Sequence, residues 1–175
     1  MARQASPGAV VLTLRLPARL QERLEALRRR YYPPARNRVP AHLTLFRQLP
    51  GPALDEVTDA IAQEAVRTPP FPFQLLPPRA WGGAIVLPVT SEDLMDLHAR
   101  LAERMALLLG AADRGPYRPH VTLANHLDLD ARPVVLGALS ARWPRPEGAV
   151  AEGLTLWQLE PRGGWLLLVT RRFAR

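Results

Sequence analysis

The chain of 175 residues contains no cysteine and no lysine. Without cysteine there are no disulfides, no thiolate nucleophile and no thiolate metal ligand. Without lysine all 23 basic side chains are arginine, and the formal net charge is +7. A GC-rich coding sequence gives this bias toward Arg, Ala, Pro and Leu. An anionic partner, phosphate or nucleic acid, would also suit it, because the guanidinium fork grips a phosphate bidentately. Charge alone does not decide between the two, and the runs "RRR" at 28–30 and "RR" at 171–172 read as solvated ends of a helix and a strand. No apolar run approaches the roughly 18–20 residues of a membrane span, so no membrane partner is expected. The opening "MARQASPGAVVLTLRLP" lacks the apolar segment and cleavage site of a secretory signal, which makes a cytoplasmic location the expectation.

The pattern along the chain repeats. "AVVLTLRL" at 9–16 reads as a strand; Leu20, Leu24 and Leu27 then mark one helical stripe after Pro17. A strand "HLTLF" follows, then a helix on Leu54, Val57, Ile61 and Ala65, then an extended, proline-interrupted "FPFQLLPPRAW". From "AIVLPV" the order restarts. Thr90 or Ser91 caps a helix on Leu94, Leu97, Leu101, Met105 and Leu108. "YRPHVTLA" is the next strand, a weaker helix covers about 130–140, and "GLTLWQLE" with "WLLLVTRRF" reads as a hairpin turning at "PRGG". This is an α+β chain in a single domain, 1–175, built from a duplicated strand-helix-strand-helix-strand over about 9–81 and 84–173. A pseudo-twofold axis would relate the repeats, with two antiparallel sheets lining a central cleft and helices outside. A monomer is expected.

The chemistry sits on the matched strands "VPAHLTLF" (39–46) and "RPHVTLAN" (118–125). Residues i and i+2 of a strand share a face. His42 and Thr44 therefore point one way, as do His120 and Thr122, while Leu43, Leu45, Val121 and Leu123 point into the core. Two imidazoles and two hydroxyls around one volume suit phosphoester chemistry without a metal or other cofactor. One ring takes a proton and the other gives one, and the hydroxyls donate to non-bridging phosphate oxygens. One His-x-Thr means little. Two copies, each preceded by Pro and at the same place in a repeated order, are hard to assign to chance.

"HLTLF" and "HVTLA" resemble the paired H-x-[ST]-h motifs, h being hydrophobic, of the two-histidine (2H) phosphoesterase superfamily. The whole chain is similar in length and order to its LigT-like branch, the RNA 2′,3′-cyclic phosphodiesterases also named 2′-5′ RNA ligases. The resemblance implies a bilobal α+β fold and metal-independent opening of RNA or nucleotide 2′,3′-cyclic phosphates to 2′-phosphates, with ligation as a reverse reaction. It implies His42 and His120 as the acid–base pair, with His120 activating water and His42 protonating the leaving oxygen, and Thr44 and Thr122 as phosphate ligands. A non-catalytic RNA- or nucleotide-binding module on the same fold, or a phosphodiesterase for another small cyclic phosphate, are the alternatives.

Arg118 is a candidate phosphate grip, and Tyr117 and Phe46 are candidate base contacts, with plain packing as the simpler account of both aromatics. Alternation places Arg47 off the catalytic face. His98 reads as a helix-flank residue and His126 as a rim residue. A zinc site from His120, His126 and Asp128 has no recognised ligand spacing behind it.

Overall fold

Branched side chains set β1 (Val10–Arg15), whose even-numbered residues bury against helices. The computed structural model describes residues 8–174, so residues 1–7 of the opening stretch behind the secretory-signal reading lie outside the described residues. After Pro17 comes α1 (Ala18–Tyr31), which buries Leu20, Leu24 and Leu27. Next are β2 (Leu43–Leu49) and α2 (Leu54–Ala65). The proline-rich stretch makes two strands instead of one, β3 (Phe71–Leu75) and β4 (Arg79–Trp81), because Pro77-Pro78 cannot continue a ladder. β5 (Ala84–Thr90) leads to α3 (Glu92–Arg104), where the Ser91 hydroxyl accepts the Leu94 amide at 3.3 Å. β6 (His120–Ala124), α4 (Ala131–Arg142), β7 (Glu147–Ala151), β8 (Gly153–Leu159) and β9 (Trp165–Arg172) complete the chain. No described helix is long and apolar enough to cross a membrane.

Strand β7 has no strong sequence signal. "EGAVA" is mostly small residues, and it is a strand because β3 offers an edge: Phe71 to Leu75 pair with Ala151 to Glu147 in sequence order. The strands run β7-β3-β5-β6-β2-β1-β8-β9 with β4 beside β5, and every pairing is antiparallel. The repeats exchange outer strands: β8 of the second pairs β1 of the first, and β3 of the first pairs β5 of the second. The two sheets are joined through β5, whose end carries β3 and whose body pairs β4 and β6.

At the centre the motif strands β2 and β6 are direct neighbours, registered through Leu43 opposite Val121. Both residues are fully buried, in one core cluster with Leu12, Leu14, Leu87 and Leu154. That core face commits the opposite face of the same strands to the polar residues.

Leu43→Ala should therefore cost about 2–5 kcal/mol of unfolding free energy by urea denaturation. Val150→Ala on the outer strand β7, where the side chain is 47% exposed, should change it by less than about 0.5 kcal/mol.

Candidate active site

The register of β2 and β6 assembles the quartet. With Leu43 opposite Val121, His42 comes opposite Thr122 and Thr44 opposite His120, all on the face away from the helix-packed core. Directly opposite residues lie about 5 Å apart at Cβ. By this register each histidine comes beside the threonine of the other motif; Thr44, His120 and Thr122 line one cleft, and His42 lies outside that lining, next to it along the strand.

The two rings are anchored alike. His42 Nδ1 lies 2.7 Å from the Pro40 carbonyl, and His120 Nδ1 lies 2.7 Å from the Arg118 carbonyl. A carbonyl only accepts, so Nδ1 carries the proton in both rings and the Nε2 lone pair is free for chemistry. The acceptor is two residues upstream in each copy. Ala41, which separates Pro from His in the first motif only, leaves that offset unchanged.

Their surroundings differ. The Trp165 ring packs against His42, centroids 4.4 Å apart, and Trp165 in turn packs on Trp157, whose indole N–H donates to Thr13 Oγ1 at 2.9 Å. Burial pushes the His42 pKa down to about 4, against a smaller upward pull from the Pro40 carbonyl and with lesser downward contributions from the charges of Arg28 and His120. His42 is therefore neutral near pH 7. His120 instead lines an open cleft of about 470 Å³ with Thr44, Thr122, Trp81, Arg118 and Asn125. Trp81 lies 4.9 Å from His120, and the Arg118 guanidinium sits 5.8 Å from the centroid of the Trp81 ring. A larger concavity of about 610 Å³ between α2 and α3 is lined by Glu64, Arg100 and other charged residues. It contains no histidine, and Glu64 and Arg100 already pair at 2.6 Å, so the smaller cleft is the candidate site.

One wall of the cleft is braced from behind. The Tyr117 hydroxyl donates to the Thr44 carbonyl at 3.0 Å, and its ring stacks on His98 at 3.8 Å; His98 stacks on Phe46 at 4.6 Å. Burial raises the Tyr117 pKa, keeping the hydroxyl a donor, and chiefly burial lowers that of His98. Asp113 accepts the amides of Arg47 and Gln48, both at 2.9 Å, tying this wall to β2. His98 is thus part of the wall's support and lines the cleft.

Two sequence expectations change for one reason. A bulge in β2 puts Thr44 opposite Thr13 but Phe46 opposite Leu12. Alternation fails between them. Phe46 turns into the core, fully buried, and cannot touch a ligand, while Arg47 comes to line the cleft. Arg118 and Tyr117 do line it. His126 is exposed at the rim with φ of 57°, and no group of three or more His, Asp or Glu able to hold a metal occurs among the described residues. Arg28, read as solvated, is 2% exposed. Trp81 and Trp165 were not singled out by sequence. Their signal was there, since "WGG" at 81–83 and "GGW" at 163–165 place a tryptophan beside a Gly-Gly turn in each repeat.

Residues 16–162 match the family model of the 2′-5′ RNA ligase superfamily. No protein of curated function matches the chain. Among solved structures, TT0787 of Thermus thermophilus is 19% identical with a TM-score of 0.65, covering 94% of this chain and 97% of that one. E. coli LigT complexed with 3′-AMP is 18% identical with a TM-score of 0.64, covering 97% and 100%. LigT complexed with NADP+ gives 17%, 0.62, 98% and 100%. These likenesses establish the fold.

The low proton affinity of His42 has a stability consequence. An unfolded histidine titrates near 6.5, above the folded value of about 4, so the unfolded chain binds more protons between those values. This contribution is present above about pH 6.5 and is lost as pH falls toward 4, up to about 3 kcal/mol. Urea unfolding across pH 7 to 4 should show a steeper loss for the native chain than for His42→Gln.

Proposed function

The chain belongs to the 2′-5′ RNA ligase superfamily, and we propose that within it this protein opens 2′,3′-cyclic phosphates of RNA or nucleotides to 2′-phosphates by paired-histidine acid–base catalysis. The observation that carries the reading is the quartet on the paired motif strands, with both Nδ1 atoms held by carbonyls. Water attacks phosphorus and gives up a proton; the bond from phosphorus to O3′ breaks; O3′ takes a proton and leaves as the 3′-hydroxyl. Thr44 and Thr122 donate to the non-bridging oxygens as their charge grows.

We assign His42 as the base and His120 as the acid. The resemblance implies the reverse order, but a ring that is neutral near pH 7 has its Nε2 lone pair open and no Nε2 proton to give. The nucleoside occupies the cleft on the His120 side, where Trp81 offers a stacking face and Arg118 a cation. LigT is a structural neighbour whose crystal structures hold 3′-AMP, NADP+ and ATP, which supports a nucleotide ligand. An RNA 5′-hydroxyl in place of water would give a 2′-5′ phosphodiester by the same proton transfers.

The test is hydrolysis of a panel of 2′,3′-cyclic mononucleotides and cyclic-phosphate-ended RNAs in EDTA. His42→Ala and His120→Ala should each lower kcat by about 10²–10⁴-fold, with 2′-phosphate as the native product. Turnover equal to the native enzyme in both variants would overturn the reading, and binding without turnover would make the protein a binding module. Trp81→Ala should raise KM several-fold and leave kcat near the native value, consistent with stacking worth about 1–3 kcal/mol.

A further inference from the structure

The ladder that joins the two motifs is short. Only one registered pair, Leu43 and Val121, links β2 to β6, whereas six pairs link β1 to β8. His42 itself lies before β2 begins. Something other than strand pairing must hold the segment before His42 against β6.

Helix α1 provides it. Gln21, Glu25 and Arg28 stand four and three apart, so they share one face beside the buried leucine stripe. Gln21 Nε2 donates to the Ala41 carbonyl at 2.7 Å, and Glu25 Oε1 accepts the Ala41 amide at 2.7 Å. Arg28 Nε and Nη2 donate to Asn37 Oδ1 at 3.2 and 3.0 Å, and Nη2 reaches the Val39 carbonyl at 3.4 Å. Its Nη1 donates to the Thr122 carbonyl at 2.8 Å. Arg28 therefore touches both motifs, the approach to His42 on one side and the phosphate-binding threonine's backbone on the other. It is 2% exposed, its guanidinium lies 4.4 Å from the centroid of the Tyr32 ring, and no carboxylate among the described residues is in ion-pair contact with it. A buried charge without a paired acid is costly. Here the carbonyls and the Asn37 amide oxygen take up the fork's hydrogens instead, which fixes their positions.

We infer that Arg28 is a positioning residue of the active site, a strut that replaces the missing β2–β6 ladder bonds and sets a fixed positive charge behind His42. The charged and titratable groups that act on His42 are Arg28 from α1 and His120 from β6; Glu25 of α1 holds the adjacent Ala41 amide, and Trp165 of β9 packs on the ring. Of these, the cations Arg28 and His120 disfavour protonation of His42. The inference rests on the proposed roles of the histidines for its catalytic meaning, but its geometry can be tested without substrate.

NMR titration of the His42 ring in the native chain, Arg28→Met and Arg28→Lys provides that test. Loss of the charge in Arg28→Met should move the His42 pKa upward by about half a unit or more, and Arg28→Lys should leave it within a few tenths of a unit. Both variants lose the fork, so the amide resonances of Val121 to Leu123 should shift in both. With a 2′,3′-cyclic nucleotide, both should lose about 10- to 100-fold in kcat at near-native KM. If Arg28→Met does not fold, Arg28→Lys alone decides: native amide shifts and native kcat together overturn the strut. In folded Arg28→Met, an unmoved His42 titration overturns the electrostatic part. These readouts stand even if the cyclic-phosphate substrate proves wrong, because the titration and the amide shifts need none.

Discussion

The antiparallel register of β2 against β6 is the constraint on which the rest of the molecule depends. A strand's side chains alternate, so a slip of one residue would send Leu43 to the cleft and His42 to the core. The buried pair Leu43 and Val121 penalises that slip with the hydrophobic free energy of two strands at once. The catalytic face is thus specified indirectly, by what its neighbours refuse to expose. Carbonyl anchors then convert strand position into ring orientation, because an imidazole tied at Nδ1 to the residue two before it can present only Nε2 to the cleft. The threonines need no such anchor, since a hydroxyl rotates to its partner.

Much of this was legible in the sequence because it follows from periodicity. The duplicated strand-helix order, the leucine stripes of α1 and α3, the Ser91 cap and the sharing of a face by His42 with Thr44 and His120 with Thr122 are all spacing arguments, and the fold agrees with them. What spacing could not carry was local or long-range. The bulge between Thr44 and Phe46 is imposed by packing against β1 and reverses the facing of Phe46 and Arg47 in one step. β7 exists because β3 has an open edge. Arg28 differs from Arg29 and Arg30 only in where the helix points it, toward the segment before His42 while the other two face solvent. Nothing in "RRR" distinguishes the three.

The arginines also separate into kinds once they are placed. Arg23 pairs with Glu147 at 2.6 Å on the surface, where such a pair contributes little. Arg100 neutralises the buried Glu64 and belongs to the packing of α2 on α3. Arg118 stands exposed over Trp81 at the cleft, and Arg28 is buried against backbone oxygen. The formal charge of +7 therefore says little about the site by itself. What bears on the chemistry is that one cation, Arg28, is held near His42 by carbonyl and amide oxygens and not by a direct ion pair, and a second, Arg118, stands exposed at the cleft.

That placement breaks the symmetry that the duplication creates. Two copies of one motif would give two rings with the same proton affinity, and a pair of equal rings is poorly suited to take and give a proton in one passage. The protein gives the two rings different surroundings. Trp165 covers His42, and Arg28 stands behind it, so its charged form loses both water and a favourable field. His120 faces the open cleft with Trp81 beside it, where water and an anionic ligand can reach the ring. On this reasoning the proposed acid is His120, and the proposed base is His42, the ring that Trp165 covers. The division of labour is carried by residues outside the motifs, which is why the motifs alone leave it open.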